Sequence, residues 1–305
     1  MMDKKMLNSN LPMINTGSEH GQSKFAGLHL LVRAVKKFSP IGKAALVVAA
    51  IIVMMGIFAE HLSLFSNNLP SGYALEAPGK SHWLGTDDLG IDLWAQICYG
   101  ARVSLMVGWG TALLAGVGGS LIGVVSGYAG GTVDKVIMRL TDLIIVLPEL
   151  PMMIVLGAFF GPSLKNVILV LALFSWTEPA RIVRSKILSI KQEHYVRAAK
   201  SYGAGVWHLI RVHFLPSLLP LVLVSMIRLM GRAIVAEAGL AFLGLGDPLS
   251  KSWGLILNHA INFKGIYFTE FWKWWVVSPI TAISLMVVSI AFIGRELEKL
   301  VNSKM

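Results

Sequence analysis

VSLMVGWGTALLAGVGGSLIGVVSGYAGGTV, residues 103–133, holds no charged side chain between Arg102 and Asp134. A helix crosses the hydrocarbon layer of a bilayer with about 20 apolar residues, so this stretch is more than long enough for one crossing. Within it Gly119, Gly123 and Gly127 fall at every fourth position, preceded by Gly108, Gly110, Gly116 and Gly118. Small residues four apart let a second helix backbone approach closely, where packing drives association in lipid. The stretch reads as a membrane helix packed inside a bundle. Such a run is common among membrane proteins and does not identify a function.

Working outward, charge-poor stretches give six predicted spans, near residues 42–60, 103–128, 137–160, 165–185, 216–240 and 273–294. Charges intrude on the fourth and fifth. The composition agrees: 55% of the 305 residues are hydrophobic and 14% charged, where a soluble domain carries roughly 25%, and the mean hydropathy is +0.66. A disordered chain, a disulfide scaffold and an ordinary cytosolic enzyme are excluded. The single cysteine, Cys98, cannot form an internal disulfide. The fold class expected is an all-α integral membrane protein with six transmembrane helices.

The net charge of +10 suggests nucleic acid until the charges are placed. With the N-terminus inside, 19 of the 27 Lys and Arg residues fall on inner segments, six on outer ones, and Arg228 and Arg232 within the fifth span. The positive-inside rule puts both termini in the cytoplasm of a multi-pass protein of the cell membrane. The basic excess is a topology signal and no nucleic-acid partner is expected.

Residues 1–23 are polar and without apolar period, as in a disordered tail. They are too long and polar for the n-region of a cleaved signal, so the first span is expected to be retained. Phe25, Leu28, Val32 and Val35 then recur at helical spacing among Lys24, Arg33, Lys36 and Lys37. They form either a basic amphipathic helix on the inner membrane face or an extension of the first span. The organisation expected is a cytoplasmic tail and amphipathic helix over 1–40, a first span and outer loop over 41–100, a five-helix core over 101–297 with a cytoplasmic loop at 189–215, and a tail at 298–305. In the outer loop, Thr86 or Asp87 can N-cap a short helix carrying Leu89, Leu93 and Trp94. Gly79-Lys80-Ser81 ends like a phosphate loop, but Ala74 stands where the pattern needs glycine and the segment lies on the outer face, so it reads as a turn.

The loop between the fourth and fifth spans reads EHYVRAAKSYGAGVWHLIRVHFLP, residues 193–216. Residues 193–202 suit a helix that Gly203 or Gly205 can end with a left-handed cap. Leu209, Ile210 and Val212 start a second helical stretch, and Pro216 suits the first turn of the fifth span. The adjacent Ala198 and Ala199 leave a shallow surface on an exposed helix, where another protein's backbone could come close. The plain alternative is a loop that only returns the chain to the bilayer.

Ala198-Ala199, three residues, Gly203, then Leu215-Pro216 resembles the "EAA" loop of ABC-importer permeases, with Arg197 where the family usually has Glu and His213 where it has Ile. The segment His82-Trp83-Leu84-Gly85-Thr86-Asp87-Asp88-Leu89-Gly90 is similar to one in the dipeptide/oligopeptide/nickel permeases, with Ile91 in place of the usual Arg. Tyr99 to Leu105, Ala236-Glu237-Ala238, Phe242 to Gly246 and Ser252-Trp253-Gly254 also match, and the likeness covers about residues 40–300. It is closest to the second, C-type subunit. Ile293-Gly294-Arg295-Glu296-Leu297 departs from the usual ending and suits a subgroup with its own substrate.

The resemblance implies a type I importer fold and a non-catalytic subunit. It implies a heterodimer with a homologous second permease, two ATPase subunits below and an extracytoplasmic solute-binding protein above. The region 197–210 would be the coupling helix, with Arg197, Ala198, Ala199, Gly203, Leu215 and Pro216 as the docking loop. ATP and magnesium would be bound by the ATPases, and no cofactor by this chain.

Glu149, Glu178, Arg228, Arg232 and Glu237 fall within or beside spans. A charge at the bilayer centre costs about 2.5–3.5 kcal/mol on insertion scales, so these groups either pair within the bundle or line a polar path for cargo. Arg232 and Glu237 are five apart and poorly placed to pair along one helix. The histidines are scattered and no metal site is expected; a metal passenger would travel as a chelate or peptide-like complex rather than be stripped onto these side chains. An ion-driven transporter or channel is the rival reading, and a repeat of broken helices in two halves would favour it. A membrane enzyme would need a motif such as His-Glu-x-x-His or Gly-x-Ser-x-Gly, and neither occurs. Dipeptide, longer peptide, nickel and metal chelate all remain open as cargo.

Overall fold

The computed structural model describes residues 37–302. The predicted tail over 1–23 and the amphipathic segment, apart from its last residues, lie outside the described residues. The chain divides between Ser39 and Pro40, and of the first unit only residues 37–39, a turn, are described. From Pro40 onward the described residues form helices and no strand, with one isolated bridge between Thr86 and Asp92.

Helix α1 (Pro40–Ile57) and the single turn α2 (Ala59–Leu62) precede the outer loop. Helix α3 (Leu93–Ala129) is followed by α4 (Gly131–Val146) and α5 (Glu149–Phe160). Helices α6 (Leu164–Ser175) and α7 (Thr177–Ile190) run together as Leu164–Ile190. The short α8 (His194–Ser201) lies in the loop that follows α7. Helix α9 (Val206–His208), a π-helical stretch (Leu209–Phe214) and α10 (Leu215–Phe242) form the continuous span Val206–Phe242. Helix α11 (Trp253–Asn262), the turn α12 (Trp272–Trp275) and α13 (Val277–Asn302) complete the chain. Five helical spans are long and apolar enough to cross a membrane, and the pair α4–α5 makes a sixth crossing if counted as one.

Several predicted boundaries move; the fifth span, for one, opens at Val206 rather than 216. The second span starts at Leu93 rather than 103, because Asp92 caps it. The third is not one straight helix over 137–160: α4 and α5 meet at 90°. Leu147, forced out of the helical region by the proline that follows it, takes ψ 134°, and Pro148 takes ψ 109°. Helix α13 continues past residue 297 to Asn302.

The interior is built on α3. A Cβ on Gly119 would stand 2.2 Å from the Trp176 carbonyl oxygen, one on Gly123 2.5 Å from that of Ala180, and one on Gly127 3.0 Å from that of Arg184. The glycine row therefore lies directly on the backbone at the junction with α7 and along α7 itself, as the four-residue spacing implied. On its other sides α3 meets Ile168 of α6 at Gly110, and Met230 and Ile234 of α10 at Gly108. Helices α1 and α13 pack on the outside of this core and keep long apolar faces such as Val47, Ile51, Met54, Leu285 and Val288 exposed.

The loop before α3 is tied together by hydrogen bonds rather than forming the expected capped short helix. Thr86 and Asp87 are not helix caps. The Thr86 hydroxyl donates to the Tyr73 carbonyl (2.6 Å) and accepts from the Glu76 N–H (2.8 Å). Asp87 accepts from the N–H groups of Leu89 and Ile91 (2.9 Å each) through Oδ1 and from Gln96 Nε2 (2.7 Å) through Oδ2. The cap is Asp92: its Oδ2 accepts from the Ala95 N–H (2.8 Å), and its Oδ1 accepts from Nδ1 of buried His82 (2.8 Å). Leu93 and Trp94 thus open the long α3. Gly85 and Gly90 have φ near +75°, and a Cβ on either would stand 2.4 Å from a carbonyl oxygen, so only glycine fits at both. Gly79 donates to the His82 carbonyl (2.8 Å) in a turn.

Two predictions follow from these contacts. Gly123→Ala should force α3 off α7 and cost about 1–3 kcal/mol, read as a lower unfolding midpoint in detergent, whereas Gly118→Ala, with nothing within 4 Å of its Cβ, should be neutral. Asp92→Ala removes the cap of α3 and strands His82, at a cost of about 2–4 kcal/mol. Asp88 makes a good control: burial, then the neighbouring Asp87 charge, raises its pKa. Its ionised form is therefore disfavoured in the fold, and at neutral pH Asp88→Asn should leave the midpoint unchanged or raise it.

Candidate functional site

The loop between α7 and α10 is anchored at both ends. Lys191 Nζ donates to the Gly127 (3.3 Å) and Tyr128 (2.9 Å) carbonyls, closing the C-terminal end of α3. Val196 of α8 is 3% exposed and sits in a cluster with Ile187 and Ile190 of α7, Leu209 and Phe214 of the π stretch, and Leu218 of α10. The cluster joins the loop to two spans at once. Helix α8 ends as the glycine suggested: Gly203 has φ +85°, and the Ala204 N–H donates to the Ala199 carbonyl (3.0 Å). Its Cβ would meet nothing within 4 Å, so the backbone conformation alone demands glycine there. Gly205 has φ −70° and is not the cap.

The two alanines do not share a surface. Ala198 is exposed, whereas Ala199 is partly buried and packs on the cluster around Val196, because residues three apart lie on one helical face. Two aromatic side chains of the loop are strongly exposed instead: Tyr202, 92%, just past the end of α8, and Trp207, 73%, on α9. Arg197 is exposed as well. Leu215 and Pro216, both exposed, lie in the first turn of α10, but helical backbone already begins at Val206. Pro216 cannot donate a backbone hydrogen bond, and the π-helical stretch ends at Phe214, two residues before it.

The charges within the spans separate into distinct settings. Arg232 pairs with Glu178 across the gap from α10 to α7, not with Glu237. Together with Glu149 they line a cavity of 260 Å³ at the α4–α5 bend, walled also by Leu147, Phe174 and Thr177. Arg228 pairs with Glu298 of α13 and lines a second cavity of 180 Å³ with Ser225. Glu237 is 3% exposed and meets the hydroxyl of Ser104 on α3 (3.4 Å). Of the five candidate path residues, three therefore share one cavity and two stand apart. His82, Gly85, Thr86, Asp87 and Gly90 hold the outer loop together.

Sequence reasoning missed the ties between α4 and α7. Asp134 pairs with Arg184 (2.5 Å) and with the Ser126 hydroxyl, and Asp142 pairs with Arg181. Asp134 and Asp142 are eight apart, about 12 Å along a helix, and Arg181 and Arg184 three apart, about 4.5 Å, so the spacings do not match and the pairing was not legible from them. Among the described residues no group of three or more His, Cys, Asp or Glu side chains is placed to hold a metal ion.

The family described as binding-protein-dependent transport system inner membrane component matches residues 119–305. The chain is similar to the probable D,D-dipeptide transport system permease protein DdpC of Escherichia coli (strain K12), with 34% identity over 285 residues, 93% of each chain. It is similar to the dipeptide transport system permease protein DppC of Bacillus subtilis (strain 168), with 34% identity over 282 residues, 90% of this chain and 84% of that one. The oligopeptide transport system permease protein OppC of the same organism is 31% identical over 297 residues, 95% of each chain. With its helical spans and the loop at 193–216, the chain belongs to this family of transport-system inner membrane components, as a non-catalytic permease subunit of the peptide group of ABC importers.

Proposed function

We propose that the chain forms half of the translocation path of an ATP-driven importer of short peptides, and that residues 197–210 are where partner ATPases engage it. The observation that carries the reading is the build of the loop: two exposed aromatic side chains, Tyr202 and Trp207, on a segment fixed by buried apolar packing to both α7 and α10. Aromatic residues displayed on a rigid support are the usual anchors of protein interfaces, and a push on this loop would be passed to two spans. The relatives named above are peptide permeases, which favours peptide over nickel or a metal chelate as cargo. A homologous second permease would complete the path, an external solute-binding protein would deliver the peptide, and two ATPase subunits would bind ATP and magnesium. The charge distribution supports cytoplasmic termini. The likeness to binding-protein-dependent systems argues against an ion-gradient driver.

The test separates the loop's outward face from its packing face. Trp207→Ala and Ala198→Trp alter only the exposed side and should leave the chain inserted and paired with its sister subunit. Loss of an interface anchor costs about 2 kcal/mol or more, so Trp207→Ala should weaken ATPase binding at least roughly 30-fold and abolish stimulation of ATP hydrolysis by loaded binding protein. Gly203→Val, strained at a left-handed position, should act likewise, while Ser201→Ala should be mild. Wild-type transport by both Trp207→Ala and Ala198→Trp would remove the loop from the mechanism. Ala199→Trp is a poor probe, because that side chain would enter the cluster beneath α8.

A further inference from the structure

The cavity at the α4–α5 bend holds three ionisable groups of unequal standing. Arg232 and Glu178 are paired to each other, with side chains 61% and 31% exposed. Glu149, in the first turn of α5, faces the same cavity and has no ion pair or hydrogen-bonded side-chain partner among the described residues. Resting on the peptide-import reading above, we propose that this cavity is a waypoint that takes a short zwitterionic peptide by its two ends. The α-ammonium group meets Glu149. The terminal carboxylate takes the Arg232 guanidinium, displacing Glu178, which stands in for that carboxylate when the cavity is empty.

The chemistry of each group fits its part. A guanidinium presents a planar fork of donors that matches a carboxylate, and one nitrogen of the Arg232 fork already donates to the Glu178 carboxylate. Exchange of one carboxylate for another on a half-exposed arginine changes the free energy little, since exposed ion pairs are weak. A waypoint needs that near-balance, because cargo held tightly would not move on. The volume, 260 Å³, is just below the range of roughly 300–1,000 Å³ typical of small-ligand pockets. It suits a dipeptide, whose two residues span at most about 7 Å, or the end of a longer chain. Leu147 and Phe174 offer a plain apolar wall, and the termini are the only groups that all short peptides share. Recognition by the ends alone lets side chains vary.

The experiment uses the complete transporter in proteoliposomes, saturating binding protein and a mixture of dipeptides, with import followed by mass spectrometry. Glu149→Gln and Arg232→Gln should each raise the KM for import roughly ten-fold, the loss of one charged contact, with partial recovery in Glu149→Asp and Arg232→Lys. Glu178→Gln removes the stand-in and keeps the guanidinium, so it should lower KM. A purely structural Arg232–Glu178 pair would instead make Arg232→Gln and Glu178→Gln fail alike, and that result overturns the waypoint. So does wild-type KM in Glu149→Gln and Arg232→Gln when wild-type vesicles import dipeptides; the importer reading then stands. Wild-type vesicles that import no dipeptide would sink the peptide reading itself, and the waypoint with it.

Discussion

Three backbone carbonyls, those of Trp176, Ala180 and Arg184, occupy the space that side chains would need at Gly119, Gly123 and Gly127. In lipid the hydrophobic effect gives little force between helices, and close van der Waals contact replaces it. A row of glycines is the means of reaching that contact, and a methyl group at Gly119 or Gly123 would be enough to lose it. The contact also fixes what must move together. At one end of the row Lys191 reaches across to the last carbonyls of α3, and Arg184 holds Asp134 of α4. Helices α3, α4 and α7 are thereby joined by backbone packing, an ammonium and an ion pair.

Helix α7 links the two candidate functional regions. Its first turn carries Glu178, which faces the cavity at the bend, and its far end supplies Ile187 and Ile190 to the cluster beneath the loop. The two ends are some twelve residues apart, about 18 Å along a helix. Under the proposed mechanism, ATPase closure shifts the loop, and the stiffness of α7 on α3 carries the shift to Glu178. Arg232 stands on α10, which is held at the same cluster by Leu218. A change in the relation of α7 to α10 would alter the Glu178–Arg232 pair, and with it the hold on cargo.

Much of this was legible in the chain and some was not, for physical reasons. The glycine spacing announced close packing on α3, but periodicity within one helix cannot name its partner, and α7 emerged only from the structure. Apolar composition found the third span yet missed its bend, since the break comes from Leu147 and Pro148 and not from any change in hydropathy. The left-handed turn at Gly203 was readable because only glycine adopts it freely. The split of Ala198 from Ala199 was not, because two adjacent alanines look alike until the buried Val196 sets which face is inside. Thr86 and Asp87 have the chemistry of helix caps, and so does Asp92; the buried His82 decides among them. The pairing of Arg232 with Glu178 is a contact between helices, and intrahelical spacing could only exclude Glu237.

The docking role of the 197–210 loop is tested most directly by placing a photoreactive phenylalanine analogue at Trp207 in the assembled transporter and illuminating it. The account predicts a covalent product joining this chain to an ATPase subunit, identified by mass spectrometry of the cross-linked peptides, with the site falling in a surface groove of that subunit. A transporter that stays assembled and active while the probe reacts only with lipid, the sister permease or its own chain would contradict it.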